Sequence, residues 1–190
     1  MQLQLRCLQL DLARQKETLE FIKSYVDFAK EHGYNAVLLY LENAVRTPDT
    51  AFFNPDNTYS MEEMKEVVEY ANAQEMMLIP AFENLGHLEK FFAYPQLQHI
   101  AECEHAETEG RGILRGYGNV GCTQKAEFYD FIDKYITDVA SLFDAPYIHM
   151  GLDEPFDFAV CPRCRAEMQK GKTKADLFYE HVMQDRKSVV

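Results

Sequence analysis

The chain of 190 residues contains no tryptophan, no apolar run near the ~20 residues that a membrane helix needs, and no cluster of Lys and Arg. Its 19 basic and 31 acidic residues give a net charge of −12, which disfavours binding to phosphate backbones and anionic lipids. We therefore expect neither nucleic acid nor membrane as a partner. The amino-terminal residues lack the basic and then apolar order of a signal peptide, and five cysteines, an odd number, suit a reducing compartment. These absences predict a cytoplasmic protein.

Strand-like and helix-like patterns alternate along a chain whose composition, 47% hydrophobic and 26% charged, is typical of a folded domain. An alternating leucine run predicts a first strand that ends near Asp11, and apolar runs predict strands over 36–41, 76–82 and 147–151. Amphipathic spacing predicts helices over 19–32 and 128–139, and a capping box of Ser60 and Glu63 predicts another between them. Pro80 is expected only near a strand end or a bulge.

This alternation implies a parallel sheet with right-handed crossovers, either doubly wound or a (β/α)8 barrel. Polar residues follow every predicted strand: Asp11 and Arg14, then Glu42 and Asn43, then Glu83, Asn84 and His87, and finally Asp153 and Glu154. Barrels carry their active sites at these strand ends, and no glycine-rich phosphate loop follows the first strand. We therefore predict an α/β fold, a partial (β/α)8 TIM-type barrel with about four βα units of parallel sheet.

The length of the chain limits how much of a barrel it can form. A complete barrel needs roughly 200 residues at minimum, and the fourth predicted strand ends only at residue 151. We therefore expect residues 1–190 to form half of a catalytic barrel, truncated or incomplete. The open edges of such a sheet favour pairing with a second copy, so a homodimer is a further expectation.

Three motifs at predicted strand ends carry a family resemblance. They are Leu10-Asp-Leu-Ala-Arg14, Ile79-Pro80 followed by Gly86-His87, and His149-Met-Gly-Leu-Asp153-Glu154. In this order they resemble the D-x-x-R, I-P-x-x-x-x-x-G-H and H-x-G-G-D-E motifs of the family 20 glycoside hydrolases, the β-N-acetylhexosaminidases. The resemblance covers nearly the whole chain. It implies a retaining hydrolase that removes terminal GlcNAc or GalNAc from N-acetylhexosamine-terminated glycans without a cofactor.

The adjacent carboxylates Asp153 and Glu154 restrict the mechanism. Neighbouring side chains of a strand point to opposite faces, so the two do not suit the usual acid and nucleophile pair unless the strand ends between them. In substrate-assisted hydrolysis the sugar's own 2-acetamido oxygen attacks the anomeric carbon. The resemblance then implies that Glu154 is the acid/base, and that Asp153 orients the acetamido N–H and stabilises the cationic intermediate.

The resemblance also implies supporting roles for other strand-end residues. Arg14 is similar to an arginine that binds hydroxyls of the terminal sugar, with a surface salt bridge at a helix start as its alternative. His87 is similar to a histidine that bonds toward the acid/base, alongside Glu42 or Asn43, with a satisfied core histidine as its alternative. His149 is expected to pack within the strand or to support the site from behind. Where the family has a small residue, Leu152 is expected to narrow the floor of the sugar pocket.

Cys161-Pro-Arg-Cys164 is a separate signal. A Cys-x-x-Cys pair supplies half of a structural zinc site, and Cys103, His105 or Cys122 are the candidates to complete it. The spacing does not suit a compact zinc finger, so Cys161 and Cys164 are weak candidates for metal ligands. Reduced structural thiols are the alternative.

The missing tryptophan bears on activity as well. By the resemblance, the aromatic walls of the sugar pocket come from later strands of the barrel, so we expect the chain alone to be weak or inactive. Two other hypotheses stay open. One is a non-catalytic carbohydrate-binding or half-barrel assembly module, and the other is a zinc-stabilised structural module.

Overall fold

A computed structural model describes residues 3–103 and 118–188. The chain divides into two compact units. Unit 1 comprises Met1–Phe82 and Asp138–Met150, and unit 2 comprises Glu83–Thr137 and Gly151–Val190. Among the described residues, none of the helices has both the length and the apolar character needed to cross a membrane.

Four strands form one sheet in the order β1-β2-β3-β4. They are β1 (Cys7–Asp11), β2 (Ala36–Tyr40), β3 (Met77–Glu83) and β4 (His149–Gly151). β1 pairs in parallel with β2, and β2 pairs in parallel with β3. The predicted α/β fold with a parallel sheet is therefore confirmed, and consecutive strands are neighbours, as in the wall of a (β/α) barrel.

Pro80 lies in the middle of β3, where it is the register partner of Leu39, so its expected place at a strand end or bulge is wrong. The N–H of Leu41 donates to the carbonyl of Ala81, which shows that odd-numbered residues of β3 bond to β2. In a parallel ladder the alternate residues face the other neighbour, so the donor that Pro80 lacks falls on the side of the short strand β4.

Six helices accompany the strands. They are α1 (Leu19–Glu31), α2 (Met61–Ala73), α3 (Glu89–Phe92), α4 (Ala126–Ala140), α5 (Pro162–Gln169) and α6 (Lys174–Ser188). The capping box before α2 is confirmed, because Ser60 Oγ accepts from the N–H of Glu63 and a Glu63 carboxylate oxygen accepts from the N–H of Ser60. The one-turn helix α3 was not predicted, since four residues carry too little periodicity to be recognised.

Each unit has its own packed interior. In unit 1 the predicted apolar faces of α1 and α2 are buried, and their innermost residues are Ile22, Val26, Ala29, Met64, Val67, Val68 and Ala71. In unit 2 a cluster of buried apolar residues and cysteines forms around the start of α5, comprising Leu85, Val120, Cys122, Phe158, Ala159, Cys161, Cys164 and Leu177.

Candidate active site

Arg14 and Glu42 form an ion pair in unit 1, just beyond the ends of β1 and β2. Asp11 prepares this geometry, because its Oδ1 accepts from the N–H groups of Ala13 and Arg14, each at 2.9 Å. This turn at the end of β1 places Arg14 toward Glu42. Arg14 does form a salt bridge, as its alternative expected, but the partner is a buried carboxylate after a strand and not a residue at a helix start.

Tyr40 completes this group. Its hydroxyl donates to Glu42 Oε1 at 3.1 Å, and the guanidinium of Arg14 lies 5.5 Å from its ring centroid. Burial by itself lowers the pKa of Arg14, but the hydrogen bond to Glu42 and the Glu42 charge outweigh burial and raise that pKa. The arginine therefore stays cationic, while 51% of its side chain remains exposed and available to a ligand.

His87 contacts both predicted catalytic carboxylates in unit 2. Its Nε2 lies 3.4 Å from Oδ2 of Asp153 and 3.5 Å from Oε2 of Glu154. The imidazole is largely buried, whereas the Asp153 and Glu154 side chains are 65% and 57% exposed. A largely buried histidine against two exposed carboxylates orients them without removing them from solvent, which differs from the core histidine that we kept as its alternative.

Backbone packing brings the two motifs of this group together. The N–H of Asn84 donates to the carbonyl of Gly151, which joins the end of β3 to the end of β4. Gly86 then lies so close to the Asp153 carbonyl that an added Cβ would collide with it. On the other side, the amide of Asn119 donates to the Glu154 carbonyl at 3.0 Å. The segment that carries both carboxylates is therefore held by contacts from two loops.

Backbone strain marks three of the predicted site residues. Glu42, His87 and Glu154 have φ values of 42°, 52° and 49°, in the left-handed region that non-glycine residues rarely adopt. Such conformations cost of order 1–3 kcal/mol each and persist where the surrounding structure imposes them, often at functional sites. No sequence signal identifies them, because none of the three is glycine or asparagine.

Two buried polar residues at the end of β3, Glu83 and Asn84, were noted in the sequence but were not assigned to the site. An added Cβ at Gly151 would collide with the carboxylate of Glu83, so this acid lies directly over the end of β4. Asn84 is fully buried, and its side-chain amide makes no hydrogen bond among the described residues. Only their position at a strand end could have indicated them.

Three residues that were expected in or near the sugar site do not have the contacts that this expectation requires. His149 is exposed at the first position of β4, unlike the packed position that we expected. Leu152 packs against the buried cluster of unit 2, which does not support its expected role at the floor of a sugar pocket. Asn43 is buried beside Glu42 in the chain, and nothing in the structure gives it a ligand-facing contact.

The Cys-x-x-Cys pair has buried partners. Cys161 and Cys164 lie with Cys122, one of the three residues that were predicted to complete a zinc site, and with Glu102, which was not predicted. Cys103 is only half-buried and does not belong to this group, and His105 lies outside the described residues. The signal for Glu102 was absent, because a single acid in an acidic chain has no distinguishing spacing.

Comparisons with known proteins identify the family of this chain. The model of the family "Glycosyl hydrolase family 20, catalytic domain" matches residues 41–189. The chain is 34% identical over 119 residues to a beta-hexosaminidase of Porphyromonas gingivalis, covering 61% of this chain and 15% of that protein. It is 30% identical over 128 residues to a beta-hexosaminidase of Vibrio furnissii, covering 66% of this chain and 21% of that protein.

Solved structures extend the likeness to the fold. The crystal structure of beta-N-acetylhexosaminidase from Bacteroides fragilis superposes with a TM-score of 0.73 at 25% identity, covering 92% of this chain and 37% of that chain. The chain thus spans well under half the length of these relatives, and its four parallel strands match part of a TIM-type barrel, as predicted. Because the family model covers most of the chain, the protein belongs to glycosyl hydrolase family 20 and contains part of its catalytic domain.

Proposed function

We propose that the natural protein carrying this chain is a retaining exo-β-N-acetylhexosaminidase that acts by substrate-assisted catalysis on glycans ending in GlcNAc or GalNAc. The observation that carries the proposal is the contact of one imidazole, His87, with both Asp153 and Glu154. Family membership supports the reaction class. The substrate itself is part of the proposal, because the chain covers 15% and 21% of the two bacterial relatives.

Glu154 acts as the acid/base in this proposal. In the first step the acetamido oxygen of the sugar bonds to the anomeric carbon, the glycosidic bond breaks, and Glu154 gives its proton to the leaving oxygen. In the second step Glu154 takes a proton from water, the water oxygen bonds to the anomeric carbon, and the cyclic intermediate opens. Two inversions at one carbon retain its configuration.

Asp153 accepts the acetamido N–H and stabilises the positive charge of the cyclic intermediate. This division of labour suits two neighbouring residues, because the acid and the orienting group need not lie on opposite sides of one bond. Both residues follow the end of β4 at Gly151, so the alternation of a strand does not set the directions of their side chains. The left-handed backbone at Glu154 turns the chain between the two carboxylates. His87 is then a positioning residue that holds both carboxylates.

The Arg14 and Glu42 pair is proposed to bind sugar hydroxyls. A guanidinium offers several donors in one plane, and the anchored carboxylate of Glu42 keeps that plane oriented. Asn43 and His149 belong to the same proposal as residues that support substrate binding. The proposed chemistry requires no cofactor, since the sugar supplies the nucleophile and Glu154 supplies the proton.

A homodimer through open sheet edges is a further part of the proposal. β1 and β4 are the outer strands in the strand order, and an outer strand presents backbone groups that can pair with a second copy. A half-length barrel, as proposed for residues 1–190, would gain strands from such pairing. The alternative function is a non-catalytic carbohydrate-binding or assembly module, which the open edges at β1 and β4 favour. The cytoplasmic location stays a prediction.

Hydrolysis of 4-nitrophenyl glycosides tests the proposal on the natural protein and on this chain alone. We expect the natural protein to release 4-nitrophenol from the β-GlcNAc and β-GalNAc glycosides, and this chain alone to release little or none. The β-glucoside, which has no acetamido group, should not be hydrolysed. Glu154→Gln should lower kcat by about 10²–10⁴-fold, the range for loss of a general acid. Glu66→Gln is the matched control, because its side chain is equally exposed, at 57%, and forms an ion pair with Lys23 far from Glu154 in the chain.

The outcomes separate the candidates. Equal hydrolysis of the β-glucoside contradicts substrate assistance, and full activity of Glu154→Gln contradicts the assignment of the acid/base. Binding of GlcNAc without turnover by the natural protein favours the carbohydrate-binding module. Light scattering of this chain across a range of concentrations tests the dimer, which a constant monomer mass contradicts.

A further inference from the structure

Four buried side chains of unit 2 converge on one point. The sulfurs of Cys122, Cys161 and Cys164 and a carboxylate oxygen of Glu102 all lie within 4.8 Å of one another. Cys122 Sγ is 3.5 Å from Cys161 Sγ, and Cys164 Sγ is 3.4 Å from Glu102 Oε2. In a tetrahedral zinc site with Zn–S bonds of about 2.3 Å, neighbouring sulfurs lie about 3.8 Å apart. The observed spacing is therefore that of a ligand set, with one atom from each residue.

The local fold prepares two of these ligands. Cys161 is the N-cap of α5, and its Sγ accepts from the N–H of Cys164 at 3.4 Å. Pro162 follows at the first helical position, where its fixed φ suits the turn. Both sulfurs thus lie together at the first turn of one helix, three positions apart in the chain.

Glu102 is held so that one oxygen faces the sulfurs. Its Oε1 accepts from the N–H of Cys161 at 2.9 Å, and its Oε2 lies against Cys164 Sγ. A hydrogen bond that fixes one carboxylate oxygen while the other binds is the usual way in which proteins orient a metal ligand. Glu102 lies 59 residues before Cys161, so only the fold brings this carboxylate to the helix start.

The cluster also has an unbalanced charge. Glu102 is 2% exposed, and within residues 3–103 and 118–188 no Lys, Arg or His side chain forms an ion pair with it. A buried carboxylate without a cation is costly, and proteins compensate such groups by pairing or by metal binding. A divalent cation at the centre of the four ligand atoms would supply the missing positive charge.

We propose that Glu102, Cys122, Cys161 and Cys164 form a structural Zn²⁺ site. Three thiolates and one carboxylate suit the borderline-soft Zn²⁺ ion, and four protein ligands complete its tetrahedral coordination. The closed coordination leaves no position for substrate, so the site stabilises structure. When Zn²⁺ binds, the three thiols release their protons to solvent and no electrons are exchanged.

The site would tie together three segments of unit 2. Glu102 and Cys122 lie on either side of a backbone pairing, in which the N–H of Glu102 donates to Val120 and the N–H of Cys122 donates to Ile100. Cys161 and Cys164 end the segment that begins with Asp153 and Glu154. Zinc would therefore anchor the far end of the segment that carries both carboxylates, by bonds stronger than apolar packing.

Metal content of the wild-type protein is the first test. The protein is refolded with Zn²⁺ under reducing conditions, passed into metal-free buffer, and analysed by elemental mass spectrometry. We expect one zinc per chain. Replacement of zinc by Co²⁺ should produce the near-ultraviolet absorption of thiolate bound to cobalt, together with the visible bands of tetrahedral cobalt. These measurements need no substrate, so they stand apart from the hydrolysis experiment.

Variants identify the ligands. Cys161→Ser with Cys164→Ser should abolish zinc binding, and Glu102→Gln should weaken it by more than the about 10–100-fold that loss of a hydrogen-bond partner behind a ligand causes. Cys7→Ser is the control, because Cys7 is a half-buried free thiol on β1, outside the cluster. The control should retain one zinc and the same midpoint of thermal unfolding.

Three results overturn the proposal. The first is a folded wild-type protein without stoichiometric metal after refolding with Zn²⁺. The second is a thermal midpoint that is unchanged by a chelator after unfolding and refolding, which would show inert buried thiols. The third is a disulfide between Cys122 and Cys161 in protein kept under reducing conditions. Because each result comes from the wild-type chain, a variant that fails to fold does not affect the decision.

Discussion

Gly86 lies directly against the backbone of Asp153, so that a Cβ at residue 86 would overlap the Asp153 carbonyl oxygen. This contact joins the glycine of the third-strand motif to the backbone of the fourth-strand motif. It gives a physical reason for a glycine immediately before His87. Any larger residue would push the segment that carries Asp153 and Glu154 away from the imidazole.

We predict that Gly86→Ala lowers kcat strongly and lowers the free energy of unfolding moderately. Backbone cannot move aside as a flexible side chain can, so the substitution should cost about 1–3 kcal/mol of unfolding free energy and displace both carboxylates. A displacement near 1 Å is enough to lower kcat by about 10²-fold. Gly33→Ala is the control, because Gly33 has a φ of 81° but open space for a Cβ. The control should lose stability alone; equal kcat values for both variants would contradict the argument.

Removal of Arg14 should destabilise the fold through Glu42. Arg14→Met leaves the buried carboxylate without its cation, and we expect a loss of about 1–3 kcal/mol in urea unfolding, the range for an unsatisfied buried group. Half of the arginine side chain is solvent-exposed, so the lower end of this range is the better estimate. Arg14→Met combined with Glu42→Gln should recover most of the loss. A double variant no more stable than Arg14→Met would show that the pair is not coupled.

His87 should affect the rate without affecting the fold. His87→Gln keeps a hydrogen-bonding group near Asp153 and Glu154 but replaces the rigid imidazole by a flexible side chain, so kcat should fall by about 10²-fold through misplacement of the acid/base. The chemical denaturation midpoint should change little, because the imidazole binds exposed carboxylates. His32→Gln, an exposed histidine after α1, is the control for a general effect of losing an imidazole. A parallel loss in both variants would count against the positioning role.

His181 should make stability depend on pH. It is buried on α6 beside Tyr129, whose hydroxyl lies 3.2 Å from His181 Nδ1, and burial lowers the pKa of His181 from 6.5 to about 4. Between these values the unfolded chain binds a proton that the folded chain excludes. The free energy of unfolding should therefore be complete above pH 6.5 and fall toward pH 4, by about 3 kcal/mol from this residue.

Chemical denaturation across this pH range measures the effect. His181→Phe keeps a ring among Phe128 and Tyr129 but cannot be protonated, so the free energy of unfolding of the variant should fall less than that of the wild type between pH 6.5 and pH 4. His32→Gln is again the control and should follow the wild-type profile. Identical pH profiles for wild type and His181→Phe would refute the prediction.

Local patterns in the sequence were sufficient for most of the secondary structure. The capping box of Ser60 and Glu63, the period of α1 and the apolar runs of β2 and β3 each reflect interactions between residues close in the chain. Such signals do not depend on distant partners, and the structure confirms them. The motif residues Arg14, His87, Asp153 and Glu154 were likewise identifiable from their order and their place after strands.

Tertiary structure alone decided the contacts within each unit, of Arg14 with Glu42 and of His87 with Asp153 and Glu154. The left-handed backbone of Glu42, His87 and Glu154 is imposed by packing, because none of these residues favours it intrinsically. Long-range packing also turned Leu152 toward the buried cluster and brought Glu102 to Cys164 across 62 positions of the chain. The sequence by itself thus determined the elements and the chemical groups, while the fold determined their contacts, because contacts between distant residues leave no periodic pattern to read.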